Sequence, residues 1–328
     1  MPPGQMKNLM HVLKFRNLSL RHALAEFLGT GVLVIFSVGA AMQNTLSRGT
    51  MSSPMNVQLS GAVAVMMGLY MCAGVSCGGL NPAVSLAFCL TRRLQWRHLP
   101  FHLCGQFFGA FFSTAVAYGV YKDALDHFDG GQRSISGPNG TAGIFCSFPQ
   151  EFATTVTGLF DQIASTCLFI MCILCVGDKR NFGPTHWFTP LLVGLSMYGI
   201  GSSFGYNCGS PLNPAKDLSL RIFTSVAGWG AGVFSFRDYN WFWVPVVGPM
   251  VGSALACFLY WIFIEYHHPN DNNDQDQSRT GEPAIQEKDA GVLQSKPFHH
   301  RTTVFAEGNV FGGDEFNGVV FGTEHILQ

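Results

Sequence analysis

Apolar runs of about twenty residues, the length that crosses a hydrocarbon core of about 30 Å, recur six times along the chain. They lie at approximately 22–42, 57–76, 99–121, 158–177, 188–207 and 241–264. Each predicts a membrane-spanning helix. Two further apolar segments, 82–91 and 214–225, are too short to cross, and each adjoins an Asn-Pro-Ala tripeptide, Asn81-Pro82-Ala83 and Asn213-Pro214-Ala215. Asn is a preferred helix N-cap and Pro is favoured at the first helical position, so both segments predict half-helices that dip partway into the membrane. The pattern is that of an all-α membrane protein with six transmembrane helices and two re-entrant half-helices.

The two halves of the pattern repeat. Glu26 precedes Asn81 by 55 residues and Gln162 precedes Asn213 by 51; Gly29-Thr30 follow Glu26 at the offset where Ser165-Thr166 follow Gln162. Gly105 and Gly109 in the third span match Gly248 and Gly252 in the sixth, a small-xxx-small spacing that lets helices approach closely. Three spans per repeat is an odd number, so the second copy is inverted in the membrane. The repeats cover about 22–121 and 158–264, joined by a connection at 122–157.

Composition sharpens this organisation. Charged residues make up only 12% of the 328 residues and the formal net charge is −1, which leaves no basic footprint for nucleic acid. Residues 1–264 hold 15 Lys or Arg against 9 Asp or Glu, whereas the rest holds 4 against 11. The chain therefore divides into an N-terminal segment 1–21, a membrane domain 22–266 and a polar, acidic tail 267–328 expected to be disordered. Lys7, Lys14, Arg16 and Arg21 before the first span, Arg92, Arg93 and Arg97 before the third, and Lys179 and Arg180 after the fourth all fall on one side of a six-span topology. By the positive-inside rule both termini are cytoplasmic. The connection 122–157 then lies outside, and it carries the glycosylation acceptor pattern at Asn139-Gly140-Thr141. A second match, Asn17-Leu18-Ser19, falls on the opposite side. Most of the ten cysteines sit in apolar runs, as small hydrophobes rather than a disulfide framework or a metal site. Cys172 and Cys175 have no His or Asp beside them in sequence.

With inversion, the N-termini of the two half-helices point at one another near the bilayer centre, each carrying about half a positive charge. Cations, hydronium included, are repelled there, while the Asn81 and Asn213 amides offer N–H donors to a passing oxygen. Irregular backbone at that depth requires a water-filled cavity or burial in protein. Two such tripeptides at matching places in a repeat therefore point to a pore for neutral polar molecules.

The stretches Ser76-Cys-Gly-Gly-Leu-Asn81-Pro-Ala-Val-Ser and Asn213-Pro-Ala-Lys-Asp217-Leu-Ser-Leu-Arg221 resemble the two signature loops of the major intrinsic protein family, in its aquaglyceroporin branch. The resemblance spans roughly residues 20–268, through Ala227-Gly-Trp-Gly230, Trp243-Val-Pro-Val and Glu265-Tyr-His-His-Pro269. It implies a homotetramer in the cell membrane, passing water, glycerol and urea without cofactor or catalysis. It assigns Asp217, Arg221 and Pro245 to the glycerol-channel type and places the narrow selectivity region at Gly61, Gly201, Ser210 and Lys216. The chain departs from the family there: bulky residues are replaced by Gly or Ser, and the usual Arg by Lys216, a flexible point charge. A wider, wetter constriction is expected. Many relatives also carry His where this chain has Gly79.

Glu26, Asp161 and Gln162 are polar groups inside spans. They read as acceptors that brace the half-helix loops rather than as a proton relay, since no histidine is expected beside them. His98 and His102 are expected to face one another near the cytoplasmic mouth. A secondary transporter would share the inverted repeats but would place coupling carboxylates at the solute path, and a scaffold would act through the tail. The paired tripeptides favour a passive channel over both.

Overall fold

The computed structural model describes residues 15–181 and 187–269. Lys7, Lys14 and nearly all of the acidic tail lie outside the described residues. Helix α1 (Leu18–Leu46) starts four residues before the expected span because the Asn17 side chain accepts from the Leu20 N–H. Asn17 is thus a helix cap. Helix α2 (Pro54–Ser76) begins on the Ser53 cap with Pro54 in its first turn and ends at left-handed Cys77, φ 66°. The half-helix α3 (Pro82–Leu90) starts on the Asn81 cap, and α4 (Leu99–Val120) carries Pro100 in its first turn.

The connection 122–157 is more ordered than a simple loop. It contains α5 (Lys122–Asp129), whose Leu125 is fully buried, and a single turn at Ala142–Ile144 whose Ala142 and Ile144 join the same apolar cluster. Then follow α6 (Thr155–Val176), α7 (Thr189–Cys208), the half-helix α8 (Pro214–Thr224), a π-turn over Ser225–Trp229, the one-turn α9 (Gly232–Ser235) and α10 (Val244–Phe263). Five of the long helical segments are apolar enough to cross a membrane by length and composition; α7 has the length but is diluted by Ser196, Tyr198, Ser202, Ser203 and Asn207.

The two repeats pack alike. Helix α1 lies on α2 and α4, and in the second half α6 lies on α7 and α10. Small residues set the spacing at equivalent points: a methyl on Gly109 would meet the Phe27 carbonyl oxygen at 2.3 Å, and one on Gly252 the Ile163 carbonyl oxygen at 2.5 Å. Phe27 and Ile163 directly follow Glu26 and Gln162, so the close contacts sit one residue from the polar groups that the site uses. Apolar side chains such as Leu24, Leu28, Phe108, Phe112, Val251 and Phe258 point outward and exposed, as helices in lipid require.

Contacts define the two ends of the bundle. At the lower end, Ser19 Oγ and His98 Nδ1 are 2.9 Å apart, Arg93 donates to the Leu174 carbonyl, Tyr70 to that of Trp187, and His268 meets Asp178. At the upper end, the segment before α6 is tied down by Arg237, which donates to the Ala153 carbonyl at 2.6 Å, and by the Trp241 indole, which donates to that of Ser147 at 2.9 Å.

Candidate functional site

The two half-helices meet tip to tip. Asn81 Oδ1 accepts from the Ala83 N–H at 2.8 Å and Asn213 Oδ1 from that of Lys216 at 3.1 Å, which leaves each amide nitrogen free to reach across. Asn81 Nδ2 donates to the Leu212 carbonyl at 2.9 Å and Asn213 Nδ2 to the Leu80 carbonyl at 2.8 Å. One of the two N–H bonds on each amide is thereby committed to the other half of the molecule, and the second is left for the cavity that both residues line.

Leu80 and Leu212, one residue before each Asn, are left-handed at φ 54° and 47°, a conformation costly for a residue with a Cβ. Both are held from two sides, since their carbonyls take the Asn amides and their N–H groups donate to side chains of the first and fourth spans. Glu26 Oε2 accepts from Leu80 N–H at 2.6 Å and from Gln106 Nε2 at 2.7 Å, while Oε1 accepts from Gly79 N–H at 2.9 Å and the Ser76 hydroxyl at 2.6 Å. In the second half Gln162 Oε1 accepts from Leu212 N–H at 3.1 Å, and Gln162 in turn donates to Asp161, which also accepts from Asn207 at 2.7 Å. Glu26 and Gln162 thus hold equivalent loop positions, each fully buried.

Histidine does stand beside Glu26, contrary to the expectation from the spacing. His102 Nδ1 lies 3.4 Å from Glu26 Oε1, and its Nε2 lies 3.2 Å from Nδ1 of His22 at the start of α1. His98 and His102 do not face one another alone: both rings pack on His22, with centroids at 5.0 and 5.2 Å. The sequence separation of 80 residues between His22 and His102 hides this cluster until α1 and α4 are packed. Cys172 and Cys175 are unpaired, as are the other cysteines.

A cavity of about 470 Å³ runs from Arg93, Gly177 and Thr189 at the lower end, past Asn81 and Asn213, to Gly61, Ser210 and Lys216. Leu33, Val65, Leu69, Val84, Phe169 and Val193 give it apolar walls, and the non-helical segments around Gly78, Gly79 and Ser210 give it a polar stripe. The carbonyls of these three residues accept no hydrogen bond among the described residues. A solute can therefore exchange water for carbonyls and Asn amides along one side and slide past hydrocarbon on the other.

Of the four residues placed at the constriction, Gly61, Ser210 and Lys216 line the cavity and Gly201 does not. The Gln58 side chain covers it. Below Lys216 in sequence order, Asp217 and Arg221 form a buried pair: Arg221 Nη2 donates to Asp217 Oδ1 at 2.9 Å and to the Ser147 carbonyl at 2.6 Å, Nη1 to the Val233 carbonyl at 2.8 Å. Asp217 Oδ2 accepts both the N–H and the hydroxyl of Ser147. The pair therefore ties α8 to the upper segment as well as bracing one turn of helix. Pro245 is buried in the first turn of α10. Asn139 is exposed at the upper end, where its Oδ1 accepts from Arg48 at 3.1 Å.

Inverted repeats around two opposed half-helices, with a cavity lined by both Asn81 and Asn213, define a membrane channel. The chain belongs to the Major intrinsic protein family, whose pattern matches residues 14–260. It is 43% identical over 261 residues to Aquaporin-10 of Milnesium tardigradum, covering 76% of this chain and 64% of that relative. It is 40% identical over 264 residues to Aquaporin-9 of Mus musculus, covering 80% and 89%, and 40% identical over 261 residues to Aquaporin-10 of Homo sapiens, covering 80% and 86%. Among solved structures it is similar to the aquaglyceroporin from Plasmodium falciparum, with a TM-score of 0.68 and 28% identity over 75% of this chain and 97% of that one. It is a channel for water and small solutes such as glycerol.

Proposed function

We propose that the channel passes water, glycerol, urea and other small polyols passively, does no chemistry on them, and excludes protons and ions. The observation that carries this reading is the crossed pair of Asn81 and Asn213, each capping one half-helix and donating to the loop of the other. It fixes two positive helix ends at the middle of the cavity, which repel cations, and it commits no ionisable side chain to the solute path at that point. Gly61, Ser210 and Lys216 set the narrow region above them, with Gly201 covered by Gln58, and Lys216 adds positive charge there. Glu26, Asp161 and Gln162 hold the loops, and Asp217, Arg221 and Pro245 hold the second half-helix and the last span. The protein acts as a homotetramer in the cell membrane with both termini cytoplasmic, so that the lower end faces the cytoplasm and Asn139 is glycosylated outside.

Stopped-flow measurements on proteoliposomes test the reading. Water, glycerol and urea fluxes should be linear in solute gradient and indifferent to proton or sodium gradients. Saturation or ion coupling would indicate a transporter, and no flux at all would leave a scaffold.

A further inference from the structure

The small residues at Gly61, Gly201 and Ser210 imply an open constriction, yet one of these places is filled from a different helix. Gln58 lies on α2 three residues before Gly61, on the same helix face and one turn nearer the upper end. Its side chain lies against α7. A methyl on Gly201 would come within 2.2 Å of Gln58 Oε1 and 2.8 Å of its Cδ, and one on Gly205 within 3.1 Å of its Nε2. The volume that a larger residue at Gly201 would take is already occupied by the carboxamide.

The polar atoms there are unspent. The Gln58 amide makes no hydrogen bond among the described residues, and its side chain is only half-buried. Ser210 Oγ is buried, lacks a hydrogen-bond partner, and lies 4.0 Å from where a methyl on Gly205 would sit. Gly61, Ser210 and Lys216 line the upper end of the cavity, and Gln58 stands one turn beyond Gly61 on α2.

We propose that Gln58 is the specificity-determining side chain of the constriction, supplying by its carboxamide the bulk missing at Gly61 and Gly201 and presenting both a donor and an acceptor to the solute. The inference rests on the filter reading proposed above. Lys216 is a donor only, whereas Gln58 can accept from a hydroxyl or urea N–H and donate to an oxygen. Solutes with both functions, polyols and urea, are matched by the pair; the amide also narrows the opening that the glycines leave.

The test is the flux of water, glycerol, urea and the five-carbon polyol ribitol through proteoliposomes of the full chain. Gln58→Ala removes both bulk and hydrogen bonding and should raise ribitol flux relative to water. Gln58→Leu keeps volume without polar atoms and should lower glycerol and urea flux relative to water by about 2–10-fold, the rate equivalent of one hydrogen bond. Gly201→Ala, whose methyl collides with the carboxamide, should shift Gln58 and lower glycerol flux more than water. Should Gln58→Ala fail to fold, Gln58→Asn, which keeps the amide one methylene further back, should still raise the ribitol-to-water ratio. Wild-type ratios in the Gln58 variants alongside a reduced polyol-to-water ratio in Ser210→Phe would make Gln58 a packing residue and overturn the inference alone. Wild-type ratios in Ser210→Phe as well would overturn the filter reading and the inference with it.

Discussion

Asn81 and Asn213 each donate to the carbonyl that precedes the other, at 2.9 and 2.8 Å. The cross-link joins the two inverted repeats through four atoms, and it does so with the same side chains that cap the half-helices. Capping uses the amide oxygen and cross-linking uses the nitrogen, so only a carboxamide of this length serves both.

Asn81→Asp keeps the cap oxygen, loses the donor to Leu212 and puts a carboxylate beside the two helix ends. Water flux should fall and a cation leak should appear, because a negative charge offsets the positive helix termini. A potassium-sensitive dye inside proteoliposomes reads the leak. Tight exclusion in this variant would show that the barrier to cations lies at Lys216 rather than at the half-helix ends.

Glu26 accepts four hydrogen bonds with its two oxygens. In Glu26→Gln one of those oxygens becomes an NH2 facing N–H donors, leaving at least one buried donor unpaired at a cost of about 1–3 kcal/mol. A lower midpoint of thermal unfolding, measured in detergent, is the expected result. The equivalent acceptor in the other half is already an amide, Gln162, which engages its loop through a single bond to Leu212, so Gln162→Glu should be tolerated better.

Much of this arrangement is legible in the chain before folding. The spans, the half-helices and the equivalence of Glu26 with Gln162 follow from apolar runs and matched offsets, and the Asp217–Arg221 pair from its i, i+4 spacing. What spacing cannot supply is contact between distant helices. Gln58 covers Gly201 from 143 positions away, and Ser147 reaches Asp217 only because the connection 122–157 folds back over the upper end. The short α5 escapes notice because its eight residues alternate charge and hydrophobe too briefly to read as a buried element. His22 escapes it because a lone histidine at the edge of an apolar run carries no pattern.

At the lower end, outside the membrane-spanning segments, burial opposes ionisation of Asp178, but the Arg180 N–H, His268, Tyr260 and the Arg180 guanidinium hydrogen-bond its carboxylate and hold its pKa down at about 2. An unfolded Asp titrates at about 3.9. A depressed folded pKa stabilises the folded state fully above pH ~4 and loses that contribution as pH falls toward 2. Asp178→Asn should therefore lower stability at neutral pH and should flatten the decline between pH 4 and 2. Unfolding midpoints of the two proteins across that range, by tryptophan fluorescence, provide the comparison; parallel curves would place the acid sensitivity elsewhere.

Glycan mapping tests the sidedness. Asn139 is exposed, whereas Asn17 caps α1 at the opposite end of the bundle. Enzymatic glycan removal should shift the gel band of the wild type and leave Asn139→Gln unmoved. Glycan on Asn17 would invert the proposed topology.

The proposed filter can be tested at Ser210 and Lys216 independently of Gln58. Ser210 is buried at the upper limit of the cavity with an unpartnered hydroxyl, and Lys216 lines the same level with its backbone N–H committed to Asn213. An ammonium on a four-carbon stem keeps the positive charge but can swing, whereas a guanidinium holds its donors in a planar fork. Lys216→Arg should therefore sharpen discrimination among solutes without admitting cations. Lys216→Ala removes the charge and should allow a measurable cation leak, smaller than that of Asn81→Asp because the opposed half-helix ends remain. Ser210→Phe inserts an aromatic ring at the proposed constriction, and water, being smaller, should be slowed less than glycerol. Stopped-flow ratios of glycerol to water permeability give the answer for each variant. Equal loss of both fluxes in Ser210→Phe would place the narrowest point elsewhere along the cavity, and the assignment of Gly61, Ser210 and Lys216 to the constriction would fail.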